Sequence, residues 1–269
     1  MFHLPFPIPA SPIKISLADS VVSMGSCFAD SIGSKLSDHK FNILSNPFGT
    51  IYNPISLCDL FNDEINDSEI IENKGVYYHW QAHGEISALT KDDLLENLNS
   101  KRQNLKAALL KADWLIITLG SAFAYRLKSS QKIVANCHKV PQSEFTKELL
   151  SIEAMAESLS NAFQQLKTQN PSLNIIFTVS PVRHTRDGLV ENNRSKARLM
   201  EVSRELSQSN DWITYFPAYE IMVDELRDYR FYAKDLVHPN EEAIDYIWKR
   251  FGETYFDPDT ASFVENWSQ

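Results

Sequence analysis

Apolar positions along the chain change period several times, and each change marks an element. Ile13, Ile15 and Leu17 alternate with other residues and run on to Val21 and Val22, so residues 13–24 are expected to hold a short strand. A turn at Gly25 follows, after which Phe28, Ile32 and Leu36 recur at helical spacing. Residues 41–44 read as a second short strand, ended by Asn46, Pro47 and Gly49. Residues 55–61 suggest a short helix, and 75–80 with 83–86 suggest the two arms of a hairpin. Leu105, Ala108 and Leu109 mark a further helix.

The second half is more regular. Trp114–Leu119 and Asn174–Val179 are nearly continuous apolar runs, the pattern of strands covered on both faces. Between them Phe145, Leu149, Ile152, Ala156, Leu159, Phe163 and Leu166 step by four and three, which predicts one long amphipathic helix. A helix at 195–206 and a strand at 212–216 follow. The last helix starts after Pro239, carries Ala243, Ile244, Ile247, Trp248 and Phe251, and is expected to stop at Gly252.

Strands that alternate with helices imply a parallel sheet with helices on both faces, an α/β fold. There is no internal repeat, low-complexity tract or Gly/Ser linker, so residues 1–269 read as a single domain, with 53–99 as an insertion or cap. In such sheets ligands sit beyond the carboxyl ends of the strands. The residues just after each apolar run are therefore the ones to examine.

Composition narrows the function classes. With 269 residues, 43% hydrophobic and 23% charged, the chain is an ordinary globule, which excludes disordered, collagen-like and coiled-coil readings. A net charge of −9 disfavours nucleic acid as a partner. No run reaches the roughly 18 apolar residues of a membrane span, and the N-terminus lacks the basic start and unbroken apolar run of a signal peptide. Three cysteines fit a reducing compartment, so the expected location is cytoplasmic. His79 and His83 fall on a predicted hairpin, where their spacing gives no helical ligand face, and Cys137-His138 lacks a Cys-x-x-Cys companion. Neither metal nor cofactor is expected.

Two motifs carry chemistry. Gly25-Ser26-Cys27-Phe28-Ala29 lies at a strand-to-helix turn. A thiol at a helix N-terminus feels the positive end of the dipole and loses its proton more easily, and the adjacent amide is a ready oxyanion donor. In the plainer reading Cys27 is a small buried apolar residue. Near the other end stands Asp235-Leu-Val-His238-Pro239. Proline suits the first helical position, which makes His238 the expected N-cap and keeps its imidazole neutral. Asp235 is placed to orient the ring; otherwise the two are a loop histidine and a solvated acid. Arg183 and His184, with Arg186 close by, follow the strand ending at Val179. An arginine there either holds a substrate carboxylate or phosphate or pairs with one of the many acids. Cys58 on an apolar helix face reads as structural, and Tyr77, Tyr78 and Trp80 as hairpin core.

Taken together, the motifs resemble the GSCFA family, grouped with the SGNH or GDSL-type hydrolases. The likeness runs from Gly25-Ser-Cys-Phe-Ala29 through Pro47-Phe-Gly-Thr-Ile-Tyr-Asn-Pro54, Leu119-Gly120-Ser-Ala122, Asn136-Cys-His-Lys139 and Ser180-Pro-Val-Arg-His184 to Asp235-Leu-Val-His238-Pro239. The resemblance implies a three-layer α/β/α sandwich, flavodoxin-like, with a parallel sheet of about five strands. It implies an acyl hydrolase, esterase or thioesterase, or an acyltransferase, acting on a small-molecule or carbohydrate ester. The family nucleophile falls on Cys27, with Ser26 the alternative if the register shifts by one. The base falls on His238, its orienting acid on Asp235, and a backbone oxyanion donor on Gly49. The Asn of the family's Gly-x-Asn loop falls on Ala122, whose methyl donates nothing, so Asn136 and His138 become candidates for that role. Gly120, Ala122, His138, Arg183, His184 and His83, in the cap, are the expected substrate contacts. The competing reading is a non-catalytic carbohydrate- or acyl-binding module on a degenerate hydrolase scaffold.

Overall fold

The computed structural model describes residues 4–62 and 65–267. Its middle layer is a parallel sheet of five strands: β1 (Ser20–Gly25), β2 (Asn42–Ser45), β3 (Trp114–Leu119), β4 (Asn174–Val179) and β5 (Ile213–Phe216). They stand in the order β5-β4-β3-β1-β2, with Val21 opposite Trp114, Gly25 opposite Thr118, and Asn174 opposite Trp114. The α/β sandwich expected from the sequence is therefore present.

The covering helices are α1 (Cys27–Asp38), α2 (Pro54–Asn62), α3 (Lys91–Leu109), α4 (Ile152–Gln169), α5 (Leu189–Ser209), α6 (Glu241–Tyr255) and α7 (Pro258–Trp267). Successive strand residues point to opposite faces, so the continuous apolar runs feed two cores. Leu115, Ile117, Leu119, Ile175, Phe177 and Val179 meet α2 to α5 on one side. Trp114, Ile116 and Ile176 meet α1 and α6 on the other. In α4 the stripe of Met155, Leu159, Phe163 and Leu166 is buried, each contributing roughly 1.5–3 kcal/mol of apolar transfer free energy. Between β5 and α6 a π-helical turn, Ile221–Leu226, buries Glu225 against Arg250 and Tyr246.

Two small antiparallel sheets flank the main one. The first joins Ile70–Asn73, Val76–His79 and Ser87–Ala88; the second joins Ile133–Val134, Phe123–Leu127 and Phe145–Leu149. The Ala135 N–H donates to the Trp80 carbonyl at 2.8 Å and ties them together.

Several sequence-based boundaries move. The first strand begins at Ser20, and the earlier alternation is spent on one bridge between Ile15 and Phe256. The partners of Val76–His79 are Ile70–Asn73 and Ser87–Ala88, while 83–86 is a turn in which the Ile86 N–H donates to the His83 carbonyl. The long helix starts at Ile152, because Ser151 caps it through the Ala154 N–H; Phe145–Leu149 is a strand. Gly252 lies inside its helix, which runs on to Tyr255.

Leaving β1, the chain adds β2 on one side and β3 on the other. The carboxyl ends of β1 and β3 thus frame the switch-point crevice where ligands of such sheets bind.

Candidate active site

One wall is the turn that ends β1. Gly25 has φ +136°, a conformation glycine adopts without penalty, and its N–H donates to Asn46 Oδ1 at 2.8 Å. The Ser26 N–H donates to the Thr118 carbonyl at 3.0 Å, and α1 begins at Cys27. Ser26 is fully buried, and its Oγ has no hydrogen-bond partner among the described residues. Cys27 is only half-buried.

The electrostatics of the thiol differ from the sequence expectation. Burial pushes the Cys27 pKa up and Asp30 adds to that; the Cys27 and Phe28 amides and the charge of Lys196 pull the other way but do not prevail. Desolvation outweighs the helix N-terminus. Cys27 is therefore a protonated thiol at neutral pH. Cys58 is buried and pushed up to about 12, and Cys137, packed near Trp80 and Phe145, to about 11.

The histidine–carboxylate pair lies on a loop that the Arg183 N–H ties, through the Val237 carbonyl, to the segment after β4. His238 Nδ1 lies 2.7 Å from Asp235 Oδ2. Asp235 Oδ1 accepts the N–H groups of Val237 (2.9 Å) and His238 (3.0 Å). These amides and the imidazole hold Asp235 down to about 2. An ionised carboxylate only accepts, so Nδ1 is the donor, and the neutral imidazole in this hydrogen bond has its lone pair on Nε2. The expected N-cap role does not hold: Asn240 caps α6 by accepting the Ala243 N–H at 3.0 Å. What holds His238 in place is its acid partner.

Between these walls lies the loop after β3. The Gly120 and Ser121 N–H groups both donate to the Tyr52 carbonyl, at 3.0 and 2.9 Å. A Cβ on Gly120 would lie 2.9 Å from Tyr52 Cδ1 and 3.1 Å from Ser26 Cβ, so Gly120 seals the crevice floor. The Tyr52 ring meets His184 edge-on, with centroids 5.2 Å apart. Burial, Lys196 and His238 push the His184 pKa down to about 4, so its imidazole is neutral.

Other expected contacts fall elsewhere. Ala122 is completely buried, with its N–H on Ser195 Oγ at 2.8 Å; it is core, not lining. The Gly49 amide, expected at the oxyanion, donates to the Asn46 carbonyl at 2.8 Å. Gly49 has another reason to be glycine, since a Cβ there would stand 2.3 Å from His83 Cβ. His138 is buried and stacks on Tyr78 at 4.8 Å. Its Nε2–H donates to the His79 carbonyl at 2.8 Å, and burial holds its pKa down at about 4. It belongs to the cores of the small sheets. Asn136 accepts the His138 N–H through Oδ1 at 2.8 Å, and its Nδ2 faces Gly84 beside His83.

Arg183 donates its N–H to the Val237 carbonyl at 3.2 Å, next in sequence to His238. Its guanidinium lies over Tyr232 at 4.2 Å and Tyr229 at 5.2 Å. No carboxylate of the described residues lies within salt-bridge distance of it, although the chain holds 35 acidic residues. Sequence reasoning missed two residues: Tyr52 and Lys196. Lys196 is 1% exposed, with Nζ on the Gly120 and Ser180 carbonyls at 2.8 and 2.7 Å. The available signal was its place on the α5 stripe with Ser195, Leu199, Val202, Ser203 and Leu206. A cavity of 610 Å³ lined by His79, Arg102 and Lys132, among others, includes neither Cys27 nor His238.

The protein is a parallel α/β sandwich with a thiol at the turn after β1 and a histidine–carboxylate pair on the loop that follows β5. The chain belongs to the GSCFA family, whose model matches residues 20–251. It is also similar to an acetyl xylan esterase from the rumen bacterium Butyrivibrio proteoclasticus, at 9% identity and a TM-score of 0.40. That match covers 95% of this chain but 66% of the other, so this chain spans slightly less than two thirds of the esterase's length. None of the curated proteins compared matches. Among the described residues no helix is long and apolar enough to cross a membrane.

Proposed function

We propose that this protein is an acyl hydrolase of the SGNH type, or an acyltransferase, that works through a covalent thioester on Cys27. The observation that carries the proposal is the 2.7 Å contact between His238 Nδ1 and Asp235 Oδ2, which leaves Nε2 as a base at the same edge of the sheet as a half-buried thiol. Cys27 is preferred to Ser26 because Ser26 is sealed under Gly120.

In the proposed reaction His238 Nε2 takes the Cys27 proton. The thiolate attacks the ester carbonyl carbon, a C–S bond forms, and the carbonyl π pair moves to oxygen. The Cys27 amide, which as the first amide of a helix has no intrahelical partner, donates to that oxygen. Collapse of the intermediate breaks the carbon–oxygen bond, or the carbon–sulfur bond of a thioester substrate, and the leaving group takes the proton from imidazolium. Water, or an acceptor hydroxyl or amine, then attacks the thioester carbon while His238 accepts its proton; the C–S bond breaks, and the Cys27 thiolate takes that proton back from imidazolium. Asn136 is the second oxyanion donor in this reading, since Gly49's amide is engaged. Arg183, which pairs with no carboxylate of the described residues, would hold an anionic group of a small-molecule or carbohydrate ester, with His83, Gly120 and His184 along the binding edge and residues 53–99 as a cap on a single domain. The proposed setting is cytoplasmic, without nucleic-acid or membrane partners.

A second reading has one observation in its favour: with Gly49 engaged and Ala122 in the core, two family oxyanion positions are silent, as in a sugar- or acyl-binding module. Intact-mass time courses with an activated ester separate the two. A transient acyl adduct in the wild type, absent in Cys27→Ala, present in Ser26→Ala and slowed in His238→Ala, supports catalysis. Persistent absence of both adduct and turnover supports the binding module.

A further inference from the structure

Helix α5 places a lysine on its buried stripe. Lys196 is 1% exposed, and no acidic side chain of the described residues lies within salt-bridge distance. Taking an ammonium out of water without an acid partner is heavily penalised, yet the site is built for one. Nζ donates to the carbonyl of Gly120, just past β3, and to that of Ser180, just past β4. Gly120 in turn packs against Ser26, so the amine lies under the loop that walls the Cys27 turn. The amine and the thiol interact electrostatically, each favouring the other's charged form.

We infer that Lys196 is a positioning residue for Cys27: it pins the Gly120 and Ser180 carbonyls beneath the nucleophile turn and supplies the counter-charge of the thiolate. This rests on the reading of Cys27 as the reacting group. The other groups facing the pair do not provide that charge. Asp30, on the thiol's own helix, opposes ionisation, and Tyr52, from the loop after β2, is a phenol that burial keeps protonated. Toward the amine, His184 is neutral above about pH 4, and the Tyr219 ring, 5.8 Å from Nζ, is uncharged. Burial pushes the Lys196 pKa down to about 7, and the charge of an ionised Cys27 acts in the opposite direction. The two titrations are thereby linked.

The test measures the ionisation of Cys27 directly and needs no substrate. Alkylation by iodoacetamide is followed by peptide mass against pH in the full chain, with Cys58 and Cys137 as internal references. Lys196→Met is expected to move the Cys27 profile to higher pH, slowing alkylation about tenfold at neutral pH, while Lys196→Arg restores part of the rate. An unchanged Cys27 profile in a folded Lys196→Met protein would overturn the inference. Should that variant not fold, the NMR titration of the Lys196 side chain decides, comparing wild type with Cys27→Ala. A fall in the Lys196 midpoint on losing the thiol supports the pairing; identical midpoints refute it. A shifted alkylation profile in a protein that never forms an acyl adduct would retain this inference and reject the hydrolase reading.

Discussion

The backbone of Gly25 lies directly against that of Thr118: a Cβ on Gly25 would stand 2.1 Å from the Thr118 carbonyl oxygen. The same oxygen accepts the Ser26 N–H, so the contact fixes where β1 turns away from β3. Gly25→Ala combines a backbone collision with an L-residue at φ +136°. The expected loss is roughly 3–5 kcal/mol, read from the urea unfolding midpoint. A change below about 0.5 kcal/mol would show that the turn is not built this way.

Asp235 fixes the tautomer of His238. Asp235→Asn can still accept the Val237 and His238 amides through Oδ1, but its amide nitrogen would face Nδ1 and favour the wrong tautomer. Turnover of an activated ester should fall by about 10³–10⁴ with little change in KM, while the melting temperature stays near that of the wild type. A fall of less than about fivefold would remove Asp235 from the mechanism.

Acid should destabilise the fold through buried histidines. His138 and His184 are both held down to about 4 by burial, against about 6.5 in an unfolded chain. Below about pH 6.5 the unfolded chain therefore binds protons that the folded chain refuses, and stability falls until about pH 4. Each histidine contributes a slope of up to about 1.4 kcal/mol per pH unit in that window. His138→Gln should lower this slope in denaturant titrations across pH 6.5 to 4. A slope equal to the wild type's would mean that His138 protonates freely in the fold.

Ala122 offers a different test. Ala122→Asn should not create an oxyanion donor, because the methyl is completely buried and the residue is tied to Ser195. The expected outcome is a loss of about 1–3 kcal/mol from overpacking and a buried amide, with no gain in turnover. A faster enzyme of undiminished stability would place residue 122 in the crevice.

Glu225 is completely buried and engages Arg250 and Tyr246. Arg250→Met leaves that carboxylate without its cation and should cost about 3–5 kcal/mol in chemical denaturation. Adding Glu225→Gln to the same chain should recover much of the loss. If the double variant is no more stable than the single one, packing by Arg250, not charge, is what matters.

How far these features could be read from the sequence depends on whether local pattern and tertiary role agree. Trp114–Leu119 and Asn174–Val179 were plain because strands covered on both faces leave continuous apolar runs. Phe145 and Leu149 misled because a spacing of four residues satisfies both a helix and a strand's alternation, and the deciding signal was the cap at Ser151. His238 was legible as a candidate but not as to its surroundings, because Asn240 is the better N-cap and takes the helix start for itself. Lys196 was hard to place because rules of composition put lysine outside, and its position on the α5 stripe does not by itself overrule them; the two carbonyls that receive it, from loops 76 and 16 residues away in sequence, give it a place inside.

The strand order also sets a schedule for synthesis. The turn bearing Cys27 lies between β1 and β2, yet its other wall follows β3, its buried amine rides on α5, and its histidine comes only after β5. Domains form as units while the chain emerges at about 5–20 residues per second, so the thiol is translated at least ten seconds before His238, about 200 residues later. Throughout that interval Cys27 is without His238, and for part of it also without the loop after β3 and Lys196. A nascent chain therefore carries this thiol apart from the histidine–carboxylate pair, and the two can meet only after the loop that follows β5 has been made.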